Sequence, residues 1–246
     1  MKHVTLIVPI LLLSCGAFAT ENAPTTAAQE SEFRDPFASD NEAVKPKVSD
    51  PLERLNRTFY HFNTWLYRRV LRPVSSGYQR VAPKPVRVCV DRLFTNLEFP
   101  VRVVNNVLEA RLKRAGIETA RFVVNSTVGV AGLFDPATRW KLKAQPADFD
   151  QTLALYRIPN GIYLNWPVLG PATIRGTVGL AGDSALNPLW YVDVPLAVTA
   201  GATGLKVVNS TSLHFEEYDD VMTATMDPYV AVRSAYFERH SNTSKK

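Results

Sequence analysis

The sequence is poor in the residues that build metal sites and hydrolytic active sites. Its 246 residues include 2 cysteines and 4 histidines. Cys15 and Cys89 provide neither a disulfide framework nor the repeated spacing of a zinc site. The sequence also lacks a glycine-rich phosphate loop and a Gly-x-Ser-x-Gly nucleophile elbow. We therefore expect no metal, no cofactor and no catalytic residues, and interpret the chain as a protein that is not an enzyme.

Two groups of residues leave an enzymatic alternative open. The block Gly182-Asp183-Ser184 resembles the nucleophile block of a lipid esterase family, in which a serine needs a histidine base held by a carboxylate. No aspartate stands three residues before His214 or His240, where that family has one. Asp148 and Asp150 form a second candidate, although neighbouring carboxylates are more often turn and surface residues. A periplasmic lipid esterase using Ser184 remains the alternative.

The sequence begins with a short apolar run that is typical of a secretory signal. Residues 4–13 are too few to cross a bilayer but have the length of a signal-peptide core. Cys15 follows directly after a stretch that resembles the lipobox of bacterial lipoproteins, whereas Ala17-Phe18-Ala19 fits ordinary secretory cleavage. We favour lipidation, and predict a signal peptide over 1–14 and a lipid anchor on Cys15.

The next segments differ sharply in charge. Residues 15–49 are polar and lack periodicity, which indicates a flexible tether. Residues 54–121 contain 14 basic and 4 acidic side chains, a net charge of +10, and 12 of the basic residues are arginine. Arginine binds phosphate with a planar pair of donors, so nucleic acid and anionic lipid headgroups are both candidate partners on charge alone.

Helical periodicity dominates the rest of the chain. Asp50, Pro51 and Glu53 form the pattern of a capped helix start. The apolar residues that follow recur at steps of three and four; they are Leu52, Leu55, Phe59, Phe62 and Leu66. A later helix shows a similar apolar face, with polar residues predicted on the outside. The apolar set is Val103, Val104, Val107, Leu108 and Leu112, and the outside set includes Asn105, Asn106 and Glu109.

The run from Asp50 to Asn63 resembles the signature of the VacJ/MlaA family, outer-membrane lipoproteins that remove misplaced phospholipid. Other family blocks follow in the family's order and extend the resemblance over residues 50–240. They include Asn96-Leu97-Glu98-Phe99-Pro100, residues 121–129, Gly132-Leu133-Phe134-Asp135-Pro136-Ala137, Trp166-Pro167-Val168-Leu169-Gly170-Pro171 and Asp227-Pro228-Tyr229. The sequence departs from the family pattern at Asp150 and Ala154, where glycine is usual, and at Gly176, where aspartate is expected after Arg175.

The resemblance implies a mainly α fold. It implies a ring-shaped helical body over residues 50–240, with an amphipathic central channel, embedded in one membrane leaflet; residues 241–246 would form a disordered tail. The implied location is the periplasmic leaflet of the outer membrane. The implied partners are phospholipid, a trimeric porin and a soluble periplasmic lipid carrier, with no nucleic acid. A structural envelope lipoprotein remains a further alternative.

The implied function is the removal of mislocalised phospholipid from the outer leaflet, which maintains lipid asymmetry without a covalent step. We expect two groups of residues near the lipid path: Asn56, Phe59, Phe62 and Asn63 on the first helix, and Gly129 and Gly132 in a loop beside the channel. Arg57, Arg87 and Arg121 are the candidates for facing lipid headgroups.

Overall fold

The computed structural model describes residues 50–191, 193, 195–215, 218–219 and 226–243. The predicted signal peptide, the tether and Cys15 lie outside these residues. The described chain is mainly helical, which confirms the predicted fold class. Its long helices are α1 Glu53–Leu66, α2 Arg72–Val81, α3 Lys84–Leu97, α4 Phe99–Leu108, α5 Leu112–Thr127, α8 Ile174–Ala185, α9 Leu196–Leu213 and α10 Pro228–Thr243.

Shorter elements join these helices. A π-helical turn, Tyr67–Leu71, connects α1 to α2, and a 3₁₀ turn, Pro188–Trp190, lies between α8 and α9. The remaining elements are α6 Pro136–Arg139, α7 Phe149–Leu155 and the strands β1 Tyr163–Trp166 and β2 Gly170–Thr173. No helix among the described residues has both the length and the apolar character needed to cross a membrane.

Side-chain caps set the start of four α-helices, one of which is α10, where Asp227 accepts from the backbone N–H groups of Tyr229 and Val230 at 3.1 and 3.3 Å. Asp135, Asp148 and Thr173 each accept a hydrogen bond from a backbone N–H in the first turn of α6, α7 and α8 respectively. These caps satisfy donors that have no partner inside the helix. Proline in the first turn of α3 and α4 suits those starts because its missing N–H is not needed there.

The two strands form an antiparallel hairpin that packs on α1. Tyr163 lies opposite Thr173, and Trp166 lies opposite Gly170. The connection turns through Val168, whose φ is +71°, and Gly170, whose φ is +83°. Three buried tyrosines join this hairpin to the two ends of the described chain, since Tyr60 of α1 and Tyr229 of α10 pack with Tyr163.

The predicted cap of the first helix is wrong. The helix begins at Glu53, and no side chain caps it. The carboxylate of Asp50 is instead bound from three directions, by Asn56 at 2.8 Å, by Arg233 at 3.1 Å and by the hydroxyl of Tyr229. Asp50 therefore fastens α1 to α10, across 183 residues of sequence. The last helix continues through Thr243, three residues beyond the tail boundary that the sequence indicated.

The amphipathic helices are oriented opposite to those of a water-soluble core. On α4, Asn105 is 0% exposed whereas Val107 is 48% exposed, so the prediction of an outside position for Asn105, Asn106 and Glu109 is wrong. On α1, Asn56 is 0% exposed and Phe62 is 42% exposed. The buried amides are stable inside because each one bonds to groups on neighbouring elements. These helices hold polar groups inward and leave large apolar side chains outside.

Candidate functional site

A polar network fills the space between α4, α7 and α8. The Asn105 amide donates to Asp183 at 2.9 Å, and the Thr152 hydroxyl donates to the Asn105 oxygen at 2.9 Å. The backbone N–H of Phe149 also donates to Asp183, at 3.0 Å. Burial, and then the nearby charge of Asp148, raise the pKa of Asp183 to about 7. This interior therefore contains a carboxyl group that titrates near neutral pH.

A second polar cluster is centred on Glu118 of α5. The residue is 1% exposed, and its carboxylate forms an ion pair with Arg102 at 2.7 Å and lies 3.9 Å from Arg121. The backbone N–H of Gln145 donates to the same carboxylate at 2.6 Å. A buried carboxylate is tolerated here because an ion pair and a hydrogen bond offset the cost of removing it from water. Glu118 thus ties α4, α5 and the segment after α6 together.

The two asparagines predicted near the lipid path hold the hairpin against α1. Asn56 donates to the Tyr163 carbonyl at 3.1 Å and accepts from the Asn165 N–H at 2.8 Å. Asn63 donates to the Trp166 carbonyl at 2.8 Å and accepts from the Val168 N–H at 2.6 Å. Amide side chains can do this because they offer a donor and an acceptor side by side.

The two aromatic residues predicted with them have a different environment. Phe62 is exposed and stacks on Trp65, with ring centroids 6.1 Å apart. Phe59 is half-buried on the same helix. The structure therefore separates this group into amides that position the hairpin and rings at or near the surface. Proximity of the four residues to a lipid path stays a prediction.

Gly129 and Gly132 lie in the loop that follows α5, as the sequence indicated. Gly132 has a φ of +93°, and a Cβ there would lie 2.5 Å from the Cβ of Asn96. A Cβ on Gly129 would lie 2.4 Å from the Asn125 carbonyl oxygen. Both positions exclude larger residues because neighbouring atoms occupy the space of a side chain. Val130 and Ala131 between them also have positive φ, of 54° and 57°.

Gly132→Ala should lower the free energy of unfolding by about 1–3 kcal/mol, because the backbone strain and the clash with Asn96 add. The matched control is Gly116→Ala in α5, where a Cβ meets nothing within 4 Å. That change should raise stability by about 0.5–1 kcal/mol, as alanine replaces glycine inside a helix. Thermal unfolding of detergent-solubilised protein measures both. Equal effects of the two substitutions would contradict the tight packing of the loop.

The three arginines predicted to face headgroups all bind protein groups. Arg57 pairs with Glu53 and with Asp227, each at 2.8 Å. The other two are more deeply placed, and their partners are carbonyl, hydroxyl and carboxylate oxygens. Arg87 binds Ala82 and Ser212, and Arg121 binds Thr138, Asp135 and the carbonyl of Leu142. A headgroup role for these arginines stays a prediction, and their present contacts give them a structural role.

Two departures from the family pattern form one local arrangement. Asp150 of α7 forms a buried ion pair with Arg175 of α8, at 2.7 Å, and a hydrogen bond at 3.3 Å. A Cβ on Gly176 would lie 2.8 Å from the Tyr236 hydroxyl oxygen. The carboxylate partner of Arg175 therefore comes from Asp150, while Gly176 leaves room for Tyr236. Nothing in the structure explains the alanine at Ala154.

Within the described residues, Ser184 is not part of the serine–histidine–carboxylate arrangement that the esterase alternative requires. Ser184 lies in the last turn of α8, and in this part of the chain no hydrogen bond joins it to a histidine. The Nδ1 atom of His214 lies 2.9 Å from the Ser210 carbonyl oxygen, and His240 lies 3.4 Å from Asp150. Asp148, the other member of the carboxylate pair, caps α7. The two carboxylates therefore have separate structural roles.

Glu118 and Asp183 are centres of the interior that were not predicted from the sequence. The signal for both was weak, because each carboxylate bonds to groups distant in sequence. Asn105, Asn106 and Glu109 carried a clearer signal, since they recur on one face of α4. If these three polar residues had been assigned to the buried face of the helix, they would have indicated a polar interior.

The fold and these sites define a class of protein: a mainly helical body with ionic and amide networks inside and large apolar side chains on its surface. Comparison with known proteins then specifies the family. The family model described as MlaA lipoprotein matches residues 48–243, so this chain belongs to that family.

The relatives match this chain over similar lengths. An uncharacterized protein of Rickettsia felis is 34% identical over 193 residues, which cover 77% of this chain and 75% of its own. The intermembrane phospholipid transport system lipoprotein MlaA of Escherichia coli K12 is 33% identical over 196 residues, 78% of this chain and 77% of its own. A solved structure, described as the structural basis for maintenance of bacterial outer membrane lipid asymmetry, superimposes with a TM-score of 0.70 at 32% identity. That match covers 80% of this chain and 99% of the solved one.

Proposed function

We propose that this protein removes mislocalised phospholipid from the outer leaflet of the bacterial outer membrane and passes it to a soluble periplasmic carrier. In this proposal the helical body is a ring that lies in the periplasmic leaflet, with an amphipathic channel at its centre. Cys15 carries the lipid anchor, and a trimeric porin is the membrane companion. No bond of the lipid is cut, so the protein is a transport component.

The observation that carries the proposal is the reversed polarity of the helices. A protein surrounded by water buries its large apolar side chains, because their exposure is costly. Here Leu55, Phe62, Trp65, Val107 and Leu112 are exposed, while asparagine and glutamate side chains of α1, α4 and α5 are buried. Exposed apolar groups of this extent mark a surface that meets lipid or a partner. In this proposal, the polar groups that the helices hold inward would offer hydrogen bonds to a headgroup that passes through the channel.

Names of relatives support the same conclusion. The Escherichia coli and Haemophilus influenzae relatives are intermembrane phospholipid transport lipoproteins, and the similar solved structure concerns outer membrane lipid asymmetry. Membership in one family at this identity supports a shared transport role. A single lipid chain anchors a protein weakly, so an apolar surface in addition to the Cys15 anchor fits stable membrane attachment.

Cells that lack this chain should expose more phospholipid on their surface than cells that contain it. A membrane-impermeant amine reagent labels phosphatidylethanolamine in the outer leaflet, and mass spectrometry of the extracted lipid measures the labelled fraction. Re-expression of the wild type should restore the low value, and Ser184→Ala should restore it equally. Cys15→Ser should not restore it, because the anchor is lost.

Two outcomes would contradict the proposal. Unchanged labelling in the absence of the chain would favour a purely structural envelope lipoprotein. Normal folding of Ser184→Ala with failure to restore the low value would favour the esterase. Circular dichroism of each purified variant distinguishes loss of function from loss of fold.

A further inference from the structure

Two arginines that line one cleft form no ion pair with any carboxylate in the described part of the chain. Arg92 lies on α3 and Arg139 ends α6, and both are exposed. They border a cavity of about 290 Å³. Within the described ranges neither guanidinium takes part in an ion pair or a hydrogen bond. This sets them apart from Arg57, Arg87 and Arg121, whose charges are already bound.

The rest of the cavity wall is largely apolar. Val128 is 60% exposed and Phe134 is 54% exposed, and Pro136 lies beside them. Val128 directly precedes the loop of Gly129 to Gly132, whose backbone is held by the bond from the Phe134 N–H to the Gly129 carbonyl at 2.9 Å. Positive charge beside exposed apolar side chains is complementary to an amphiphile that has an anionic head.

The lining also includes Asp135, a carboxylate that would repel an anion if it were free. Its oxygens are engaged: Arg121 donates at 3.2 Å, Asn125 at 3.1 Å and the Thr138 hydroxyl at 2.6 Å. Because Arg121 balances its charge, the unpaired charges of Arg92 and Arg139 determine the sign of the cleft. The cleft is therefore positive.

We propose that this cleft, formed by Arg92, Arg139, Val128 and Phe134, binds an anionic phospholipid. The phosphodiester lies between the two guanidiniums, and the first acyl carbons lie on Val128 and Phe134. A volume of about 290 Å³ lies just below the roughly 300–1,000 Å³ of small-molecule pockets, so it suits a headgroup while the tails continue outside. The inference rests on the proposed function, and adds the charge of the lipid and the residues that recognise it.

The two arginines also favour a headgroup with a net negative charge over a zwitterionic one. A phosphoglycerol headgroup brings one negative charge and hydroxyl groups into the cleft. A phosphocholine or phosphoethanolamine headgroup adds a cation, which two unpaired guanidiniums repel. The expected preference is therefore for phosphatidylglycerol-type lipid.

Isothermal titration calorimetry tests the site on the purified mature protein in non-ionic detergent. The probes are dihexanoyl phosphatidylglycerol, dihexanoyl phosphatidylcholine with the same chains, and inorganic phosphate, the lipids below their micelle concentrations. The wild type should bind the glycerol lipid roughly tenfold or more tightly than the choline lipid, and phosphate more weakly than either, since charge-assisted bonds and apolar contacts contribute together. The double variant R92Q/R139Q should lose that preference.

The control variant is R69Q/R80Q, which removes two exposed charges from α2 and the π-helical turn, away from the cleft. It should keep the preference. Equal losses in both double variants would show a general charge effect and overturn the proposal. Phosphate binding as tight as lipid binding would overturn the choice of lipid as ligand. The cellular labelling experiment tests the proposed function independently. If the calorimetry shows no preference for the glycerol lipid but the labelling experiment gives its expected result, only the proposal about the cleft is overturned.

Discussion

Glu118→Ala should lower the free energy of unfolding by about 3–5 kcal/mol, because it removes the carboxylate that pairs with the largely buried guanidinium of Arg102. The Glu118 side chain is fully enclosed, and the side chain of Arg102 beside it is 17% exposed. The substitution also strands the Gln145 N–H, which donates to this carboxylate at 2.6 Å. Urea unfolding of the detergent-solubilised protein, followed by circular dichroism, measures the change.

Two controls distinguish the buried charge from other effects. Glu118→Gln keeps an acceptor oxygen and the side-chain volume, so it should be less destabilising than alanine. Glu53→Ala removes a carboxylate of an exposed pair with Arg57, and should change stability by less than about 1 kcal/mol. If Glu118→Ala costs no more stability than Glu53→Ala, the interior network does not stabilise the fold as argued.

Local signals in the sequence were sufficient for the type and approximate place of several elements. The start of α10 after Asp227 and the loop at Gly129 and Gly132 follow from residues within a few positions of each other. The helical character of α1 and α4 could also be predicted, because it depends only on the spacing of apolar residues along the sequence. These features need no knowledge of what surrounds the chain.

The direction in which each helix faces could not be predicted in the same way. An amphipathic pattern indicates that a helix has one apolar and one polar face. Which face is buried depends on whether water, lipid or protein surrounds the helix. In α4 the apolar residues Val107 and Leu108 are exposed, and Asn105 is inside because Asp183 and Thr152 bond to it. The burial of the polar face of α4 therefore depends on α7 and α8, which are distant from it in sequence.

Long-range charge pairs were equally hidden. Asp50 fitted a helix cap by local rules, but Arg233 and Tyr229 bind it across the fold. Asp150 and Gly176 stood as two separate departures from a family pattern, although they form one packing unit with Arg175 and Tyr236. A rule based on residues a few positions apart cannot predict a contact with a partner that comes close only after the chain has folded.

Asp183→Asn should make the protein more stable at pH 8, by up to about 4 kcal/mol, and leave its stability at pH 4 nearly unchanged. The pKa of Asp183 is raised from 3.8 to about 7, chiefly by burial and next by the charge of Asp148. Between these values the folded chain holds a proton that the unfolded chain has lost. The stabilising contribution is therefore complete below about pH 4 and is lost as the pH rises through 7. A difference of about three units corresponds to about 4 kcal/mol.

The asparagine variant isolates this carboxyl group, because its amide oxygen can still accept from Asn105 and from the Phe149 N–H. Urea midpoints measured from pH 4 to pH 8 should fall with rising pH more steeply in the wild type than in Asp183→Asn. The matched control is Asp193→Asn, which removes an exposed carboxylate and should leave the wild-type slope in place. Parallel slopes for the wild type and Asp183→Asn would mean that Asp183 does not hold its proton in the folded interior. The group would then be solvated, and the space between α4, α7 and α8 would have to be open to water.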